Sequence, residues 1–138
     1  MLPIREKKPP HGKSAKQESL LFEVKFFEGI ARRDPDFVEV LQILGDAYTE
    51  TGQWEKGLEI DRRLAKLCPD NPLVFYNLAC SYSLLKRVDE ALAALTEALK
   101  RGYDDERWLN EDPDLDNLRK DNRFQKIRAR LLEKPREG

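Results

Sequence analysis

Apolar residues recur along most of the chain with the spacing of helices rather than of strands. From Glu18 onward they return every three or four positions, beginning with Leu20, Val24, Phe27 and Ala31. No stretch alternates between apolar and polar residues for long enough to predict a strand. The pattern therefore predicts an all-α fold.

Turn-forming and capping residues divide this pattern into separate helices. Asp36 is predicted to cap the second helix, and Glu39 to complete a capping box with it. Gly52 is a typical residue for the end of that helix. Asn71 followed by Pro72 predicts the start of the fourth helix. Five helices are therefore expected before a different C-terminal segment begins.

The apolar pattern repeats with a period of 34 residues when the chain is compared with itself. Leu44 and Tyr48 fall opposite Leu78 and Tyr82 at this shift. The same shift pairs small residues with small residues, and these pairs are Gly45 with Ala79 and Gly57 with Ala91. The chain is therefore expected to consist of repeated helical pairs.

This period and these residues resemble the tetratricopeptide-repeat (TPR) family, in particular small bacterial members with a C-terminal helical cap. The resemblance implies an α-α superhelix, which is a solenoid of antiparallel helical hairpins that bind proteins or peptides. The expected organisation along the chain is a disordered basic tail at 1–17, a partial repeat at 18–37, full repeats at 38–71 and 72–105, and a helical cap and tail at 106–138.

Two positions depart from the family pattern. Asp61 stands where a bulky apolar residue is usual, and a buried carboxylate without a partner is costly. Either Asp61 is paired, for example with an arginine, or the helix is rotated so that Ile60 packs inward instead. Lys86 stands where the first repeat has Gly52 in its turn.

The third period does not follow the repeat pattern. Asp112, Pro113 and Asp116 occupy the places of the next leucine, glycine and tyrosine. The apolar residues of this region are instead expected to cover the open end of the repeats, because terminal repeats are atypical. These residues are Trp108, Leu109, Leu115, Leu118, Phe124, Ile127 and Leu131.

Composition and charge narrow the function classes. The chain has 138 residues, 37% of them charged, and a net charge of -1, so no overall field attracts nucleic acid or an anionic membrane. The tail at 1–17 holds five basic residues and one acidic residue, and contact between this tail and nucleic acid is the less favoured alternative to a solvated tail. No signal peptide or membrane span is expected, and a cytoplasmic location is the default.

Catalytic chemistry has little support in the sequence. His11, the single histidine, lies in the tail, so neither Cys68 nor Cys80 has a predicted base, and a cysteine-dependent enzyme is disfavoured. The fragment Asp112-x-Asp114-x-Asp116 matches the start of a calcium loop but lacks its later glycine and glutamate. We therefore expect no enzyme, no cofactor and no metal site.

The family resemblance implies a partner-binding site on the concave face, which the first helix of each repeat lines. Only Asn77 matches the residues of a carboxylate clamp. Because the face places carboxylates beside apolar residues, among them Tyr76 as a possible anchor, we expect it to prefer an apolar segment that carries positive charge. A small secretion or assembly chaperone is the alternative within the binding class. Carried over by position, the expected site residues are Glu39, Gln42, Asp46, Glu50, Leu73, Tyr76, Asn77, Cys80 and Leu84.

Overall fold

The computed structural model describes residues 15–133 and confirms the all-α class. Within this range the chain forms seven α-helices and one short 3₁₀ helix, and no strand occurs among these residues. The helices belong to two compact units, which divide between Pro69 and Asp70. The basic tail and His11 lie outside the described residues, except for the last three positions assigned to that tail.

The first unit contains three helices, which are α1 (Ala15–Arg33), α2 (Val38–Glu50) and α3 (Trp54–Leu67). The short turn between α2 and α3 passes through Gly52, whose φ of 77° favours glycine because a side chain would be strained there. Two helices joined by so short a loop form an antiparallel hairpin. The first full repeat is thus a helical hairpin, as the period predicts.

The starts of the first two helices differ from the prediction. Helix α1 begins at Ala15 and not at Glu18, so three residues assigned to the tail are helical. Phe37 occupies the N-cap position of α2 and makes no side-chain capping bond, so the capping box predicted for Asp36 does not form. The reason is a tight turn in which the Phe37 amide donates to the Asp34 carbonyl at 3.2 Å, which places the helix start one residue later.

Ile60 packs inward, as the second alternative expects, but Asp61 is buried beside it and is not turned outward. The Asp61 side chain lies against Gly45 of α2. A Cβ atom added at Gly45 would lie 3.1 Å from Asp61 Oδ1 and 3.4 Å from Ile60 Cγ2. Gly45 therefore provides the space that the buried carboxylate occupies between the two helices.

The second unit contains five helical elements. They are α4 (Pro72–Leu84), α5 (Val88–Lys100), α6 (Glu106–Glu111), the 3₁₀ helix Pro113–Leu118 and α7 (Asn122–Glu133). The predicted start of α4 is confirmed, because Asn71 Oδ1 accepts a hydrogen bond from the Leu73 amide at 3.0 Å. Lys86 adopts a φ of 60° in the α4–α5 turn, and it is the one non-glycine residue with a positive φ within residues 15–133.

Residues 106–133, the C-terminal segment, pack on the α4–α5 hairpin through the 3₁₀ helix and α7. Asp112 caps the 3₁₀ helix by accepting from the Asp114 amide at 2.9 Å. Asp121 accepts in the same way from the Arg123 amide at 2.8 Å, at the start of α7. Trp108 is only partly covered, and the buried apolar residues of the segment are Leu109, Leu115, Leu118, Phe124, Ile127 and Leu131.

Candidate partner-binding site

The residues expected to bind a partner in the first unit share one face of α2. Glu39, Asp46 and Glu50 follow one another at intervals of seven and four residues, so their side chains project within about 60° of one another around the helix. Gln42 lies at the edge of this stripe, and Glu39 is exposed. The structure therefore brings the four predicted residues of α2 together.

Ile43 lies in the middle of this acidic stripe and is 42% exposed. It follows Glu39 by one turn and precedes Asp46 by one turn, so it belongs to the same face. The sequence analysis did not include Ile43, although its spacing from the two acidic residues was the signal that could have identified it. We call Glu39, Gln42, Ile43, Asp46 and Glu50 the α2 face.

The opposite side of α2 holds the helix in place. Tyr48 is buried, and its hydroxyl donates to Glu28 Oε2 of α1 at 2.5 Å. Burial, followed by the hydrogen bond to the Glu28 carboxylate, raises the pKa of Tyr48 well above its ordinary value. Tyr48 therefore remains a hydrogen-bond donor at neutral pH and fixes the rotation of α2 that turns the α2 face outward.

The predicted residues of the second unit are placed differently. Tyr76 is only 2% exposed, and Asn77 and Cys80 are also buried. Leu73 and Leu84, near the two ends of α4, are half-buried. Tyr76, Asn77 and Cys80 thus do not present the accessible surface that the family resemblance implies for a partner.

The C-terminal segment explains this burial. The Tyr76 hydroxyl donates to Asp112 Oδ2 at 2.6 Å, and its ring stacks on Tyr103 with centroids 4.4 Å apart. The Asn117 side-chain amide donates to the Ser83 carbonyl at 2.8 Å, about two helical turns further along α4. The 3₁₀ helix and its cap therefore cover the side of α4 that carries Tyr76.

The electrostatics around Tyr76 keep it protonated. Burial is the largest cause that raises its pKa, and the neighbouring Cys80 and Asp112 add to the effect. Burial likewise raises the pKa of Tyr103 far above the ordinary value for tyrosine. Tyr76 therefore serves as a permanent donor to Asp112, which is itself buried. The Tyr76–Asp112 hydrogen bond therefore serves as a structural contact between α4 and the start of the 3₁₀ helix.

A group of potential metal ligands lies at the same place. The ligand atoms of Cys80, Asp112 and Asp114 all lie within 4.8 Å of one another. The Cys80 thiol contacts Asp112 Oδ2 at 3.7 Å, the same oxygen accepts from Tyr76, and Asp112 Oδ1 accepts from a backbone amide. The Asp112 carboxylate, which a metal ion at this place would need as a ligand, is thus already hydrogen-bonded within the fold.

The α2–α3 and α4–α5 hairpins define the class of this chain as a protein built from repeated helical hairpins. The tetratricopeptide-repeat family model matches residues 73–105, which are the α4–α5 hairpin with its flanking turns. The α4–α5 hairpin is therefore a tetratricopeptide repeat, and the all-helical fold is consistent with a protein built from such repeats. At a spacing of 34 residues, α2 and α3 align with α4 and α5.

The chain is also similar to a protein of Arabidopsis thaliana whose name describes it as chloroplastic. The two are 40% identical over 97 residues, which is 68% of this chain and 28% of the relative. The chain thus spans little more than a quarter of the length of that relative. Among the residues that the structure describes, no helix is long and apolar enough to cross a membrane.

Proposed function

We propose that the chain is a non-catalytic interaction module that binds a protein or peptide segment on the α2 face. The observation that carries this proposal is the apolar Ile43 exposed between Glu39 and Asp46 on a helix that begins a tetratricopeptide repeat. Proteins of this family generally interact with other proteins. On the α2 face Glu39 and Ile43 are exposed, whereas Gln42, Asp46 and Glu50 are half-buried.

The chemistry of the α2 face favours one kind of partner. Three carboxylates on one helix face attract cations, and their combined field is stronger than that of scattered surface charges. Ile43 adds an apolar contact at the centre of the stripe. The preferred partner is therefore a segment with an apolar side chain flanked by lysine or arginine.

The second unit contributes less to this proposal. The cover over Tyr76, Asn77 and Cys80 removes them from the binding surface, and Leu73 and Leu84 keep some apolar area near the ends of α4. The proposal therefore depends on the α2 face alone.

Selection from a random peptide library displayed on phage tests the preference directly. We expect the retained peptides to be enriched in an aliphatic or aromatic residue flanked by basic residues, and their affinity to fall with added salt. Enrichment of acidic peptides, or retention without any common pattern, would count against the α2 face.

Variants then assign the binding to named residues. Asp46→Lys should lower the affinity for the best selected peptide by roughly tenfold and reduce the dependence of that affinity on salt, because a repulsive charge replaces an attractive one. Ile43→Ala should increase the dissociation rate. Glu55→Lys, an equal charge reversal at the exposed start of α3, is the matched control and should leave affinity nearly unchanged. Equal losses for Asp46→Lys and Glu55→Lys would show only a general charge effect.

A further inference from the structure

Helix α1 exposes two aromatic side chains on one face. Phe22 is 80% exposed and Phe26 is 65% exposed. They are one helical turn apart, so their rings are neighbours on the helix surface. Adjacent exposed aromatic residues are characteristic of a surface that another molecule covers. This face is distinct from the α2 face and is independent of the proposed function.

The positions equivalent to Phe26 in the later helices indicate which kind of element packs against this face of α1. Phe26, Ile60 and Ala94 are spaced by 34 residues and occupy equivalent positions in α1, α3 and α5. Ile60 is 8% exposed and Ala94 is 6% exposed, and Ile60 packs against Gly45 of the preceding helix. The face around Phe26 is therefore equivalent to faces of α3 and α5 that are buried, in α3 against the preceding helix.

Gly29 creates a depression on the same face. It follows Phe22 by seven residues and Phe26 by three, so all three share one side of α1. Among the residues whose side chains the structure describes, a Cβ atom at Gly29 would meet only the Arg32 side chain, at 3.8 Å. Glycine weakens a helix interior, and its presence on an otherwise open face allows a second helix to approach closely.

The charges at the two ends of this face have opposite signs. Glu18 lies one turn before Phe22, and Arg33 lies one turn after Gly29, and both are exposed. The midpoint of Glu18 and Arg33 in the sequence is also the midpoint of Phe22 and Gly29. When a second α1 lies antiparallel to the first, one two-fold axis near Phe26 therefore brings Phe22 opposite Gly29 and Glu18 opposite Arg33.

We propose that α1 is a self-association surface through which two copies of this chain pair. In the dimer Phe22 of each copy packs over Gly29 of the other, and Glu18 of each copy pairs with Arg33 of the other. Each contact occurs twice because the interface is isologous. A helix of 19 residues is about 28 Å long, which is sufficient for this set of contacts.

Sedimentation equilibrium of the full chain, from low-micromolar to submillimolar concentration, tests the apolar part of the interface. We expect a reversible monomer–dimer equilibrium. Phe26→Glu should raise the dissociation constant by at least about tenfold, because each dimer contains the change twice. The matched control is Leu132→Glu, which alters another exposed apolar residue, on α7, and should leave the equilibrium unchanged. Circular dichroism of both variants establishes that their helix content is preserved.

Charge reversal tests the antiparallel register without touching the aromatic residues. Glu18→Arg and Arg33→Glu should each weaken the dimer, since each brings like charges together twice. The double variant Glu18→Arg/Arg33→Glu should restore the wild-type dissociation constant to within about threefold, and the effect of each single change should decrease with added salt.

Three results would overturn the proposal. A chain that stays monomeric over the whole concentration range has no such interface. A dimer that persists in Phe26→Glu uses another surface. A double charge reversal that fails to restore association excludes the antiparallel register. Loss of peptide binding by α2-face variants with the dimer intact would leave this inference standing, so the two proposals are tested separately.

Discussion

The two full repeats share one register and differ in what covers their first helices. In the first unit Gln42 and Asp46 of the α2 face, the positions equivalent to Tyr76 and Cys80, are half-buried. In the second unit the 3₁₀ helix and its cap cover Tyr76 and Cys80 on α4. Positions that are equivalent in sequence thus differ in accessibility. A repeat period specifies the hairpin, whereas the accessibility of its face depends on residues outside the repeat.

The contact between the two helices of each hairpin also differs. Gly45 and Asp61 in the first repeat occupy the positions of Ala79 and Leu95 in the second. All of these residues are buried. The smaller glycine accompanies the buried carboxylate, and the alanine accompanies an ordinary leucine. The two repeats therefore use different residue pairs at the same place.

Loss of the contacts that cover α4 should have the largest effect on the free energy of unfolding. Asp112→Ala removes the acceptor of the Tyr76 hydroxyl and the cap of the 3₁₀ helix, and should lower the free energy of unfolding by about 3 kcal/mol. Asp116→Ala, a loss of an exposed carboxylate in the same short helix, is the control and should cost less than about 0.5 kcal/mol. Urea denaturation followed by circular dichroism measures both, and equal costs would refute a special role for Asp112.

Alkaline pH should weaken the same cover. Burial raises the folded-state pKa of Tyr76 above the ordinary value of 10.0, so the unfolded chain releases this proton first. The stabilisation is complete below pH 10.0 and decreases as pH rises beyond it, by about 1.4 kcal/mol per pH unit for each such tyrosine. Tyr76→Phe should reduce the slope of stability against pH by about this amount. Urea titrations at a series of alkaline pH values measure the slope, and an unchanged slope would contradict the assignment.

The Gly45–Asp61 contact provides a third test. Gly45→Ala should lower the free energy of unfolding by about 1 kcal/mol, because the new methyl group would lie 3.1 Å from Asp61 Oδ1 and the cost of this crowding would exceed the gain in helix propensity. The double variant Gly45→Ala/Asp61→Leu copies the residue pair of the second repeat. Its cost should be smaller than the sum of the single changes, as measured by a double-mutant cycle. Strict additivity would show that the two sites are not coupled.

Substitutions in the turns of the two hairpins should change the free energy of unfolding least. Lys86 has a φ of 60° where the first repeat has Gly52, and an L-residue is strained in that region. Lys86→Gly should therefore raise the free energy of unfolding by about 0.5–1 kcal/mol, and Gly52→Lys should lower it by a similar amount. Thermal unfolding of the two variants gives the comparison. Effects of the same sign in both turns would contradict the strain at Lys86.

Local features of the fold could be predicted from the sequence where neighbouring residues encode them. The cap at Asn71 and the helix end at Gly52 were predicted correctly because each involves residues within one turn. The start of α2 was wrong, because the backbone turn at Asp34 competes with the side-chain cap at Asp36. Two local signals of similar strength lay next to each other, and their relative energies cannot be read from residue types.

The sequence by itself determined the helical period, the hairpins and the acidic character of α2, since each is a property of residues close in the chain. Only the tertiary structure decided that Tyr76 is a buried donor and not an accessible residue of the partner-binding face. Its acceptor, Asp112, is 36 residues away, in a segment that does not follow the repeat. The physical reason is that burial depends on which distant surface packs against a face, and a helical period specifies the face but not what covers it.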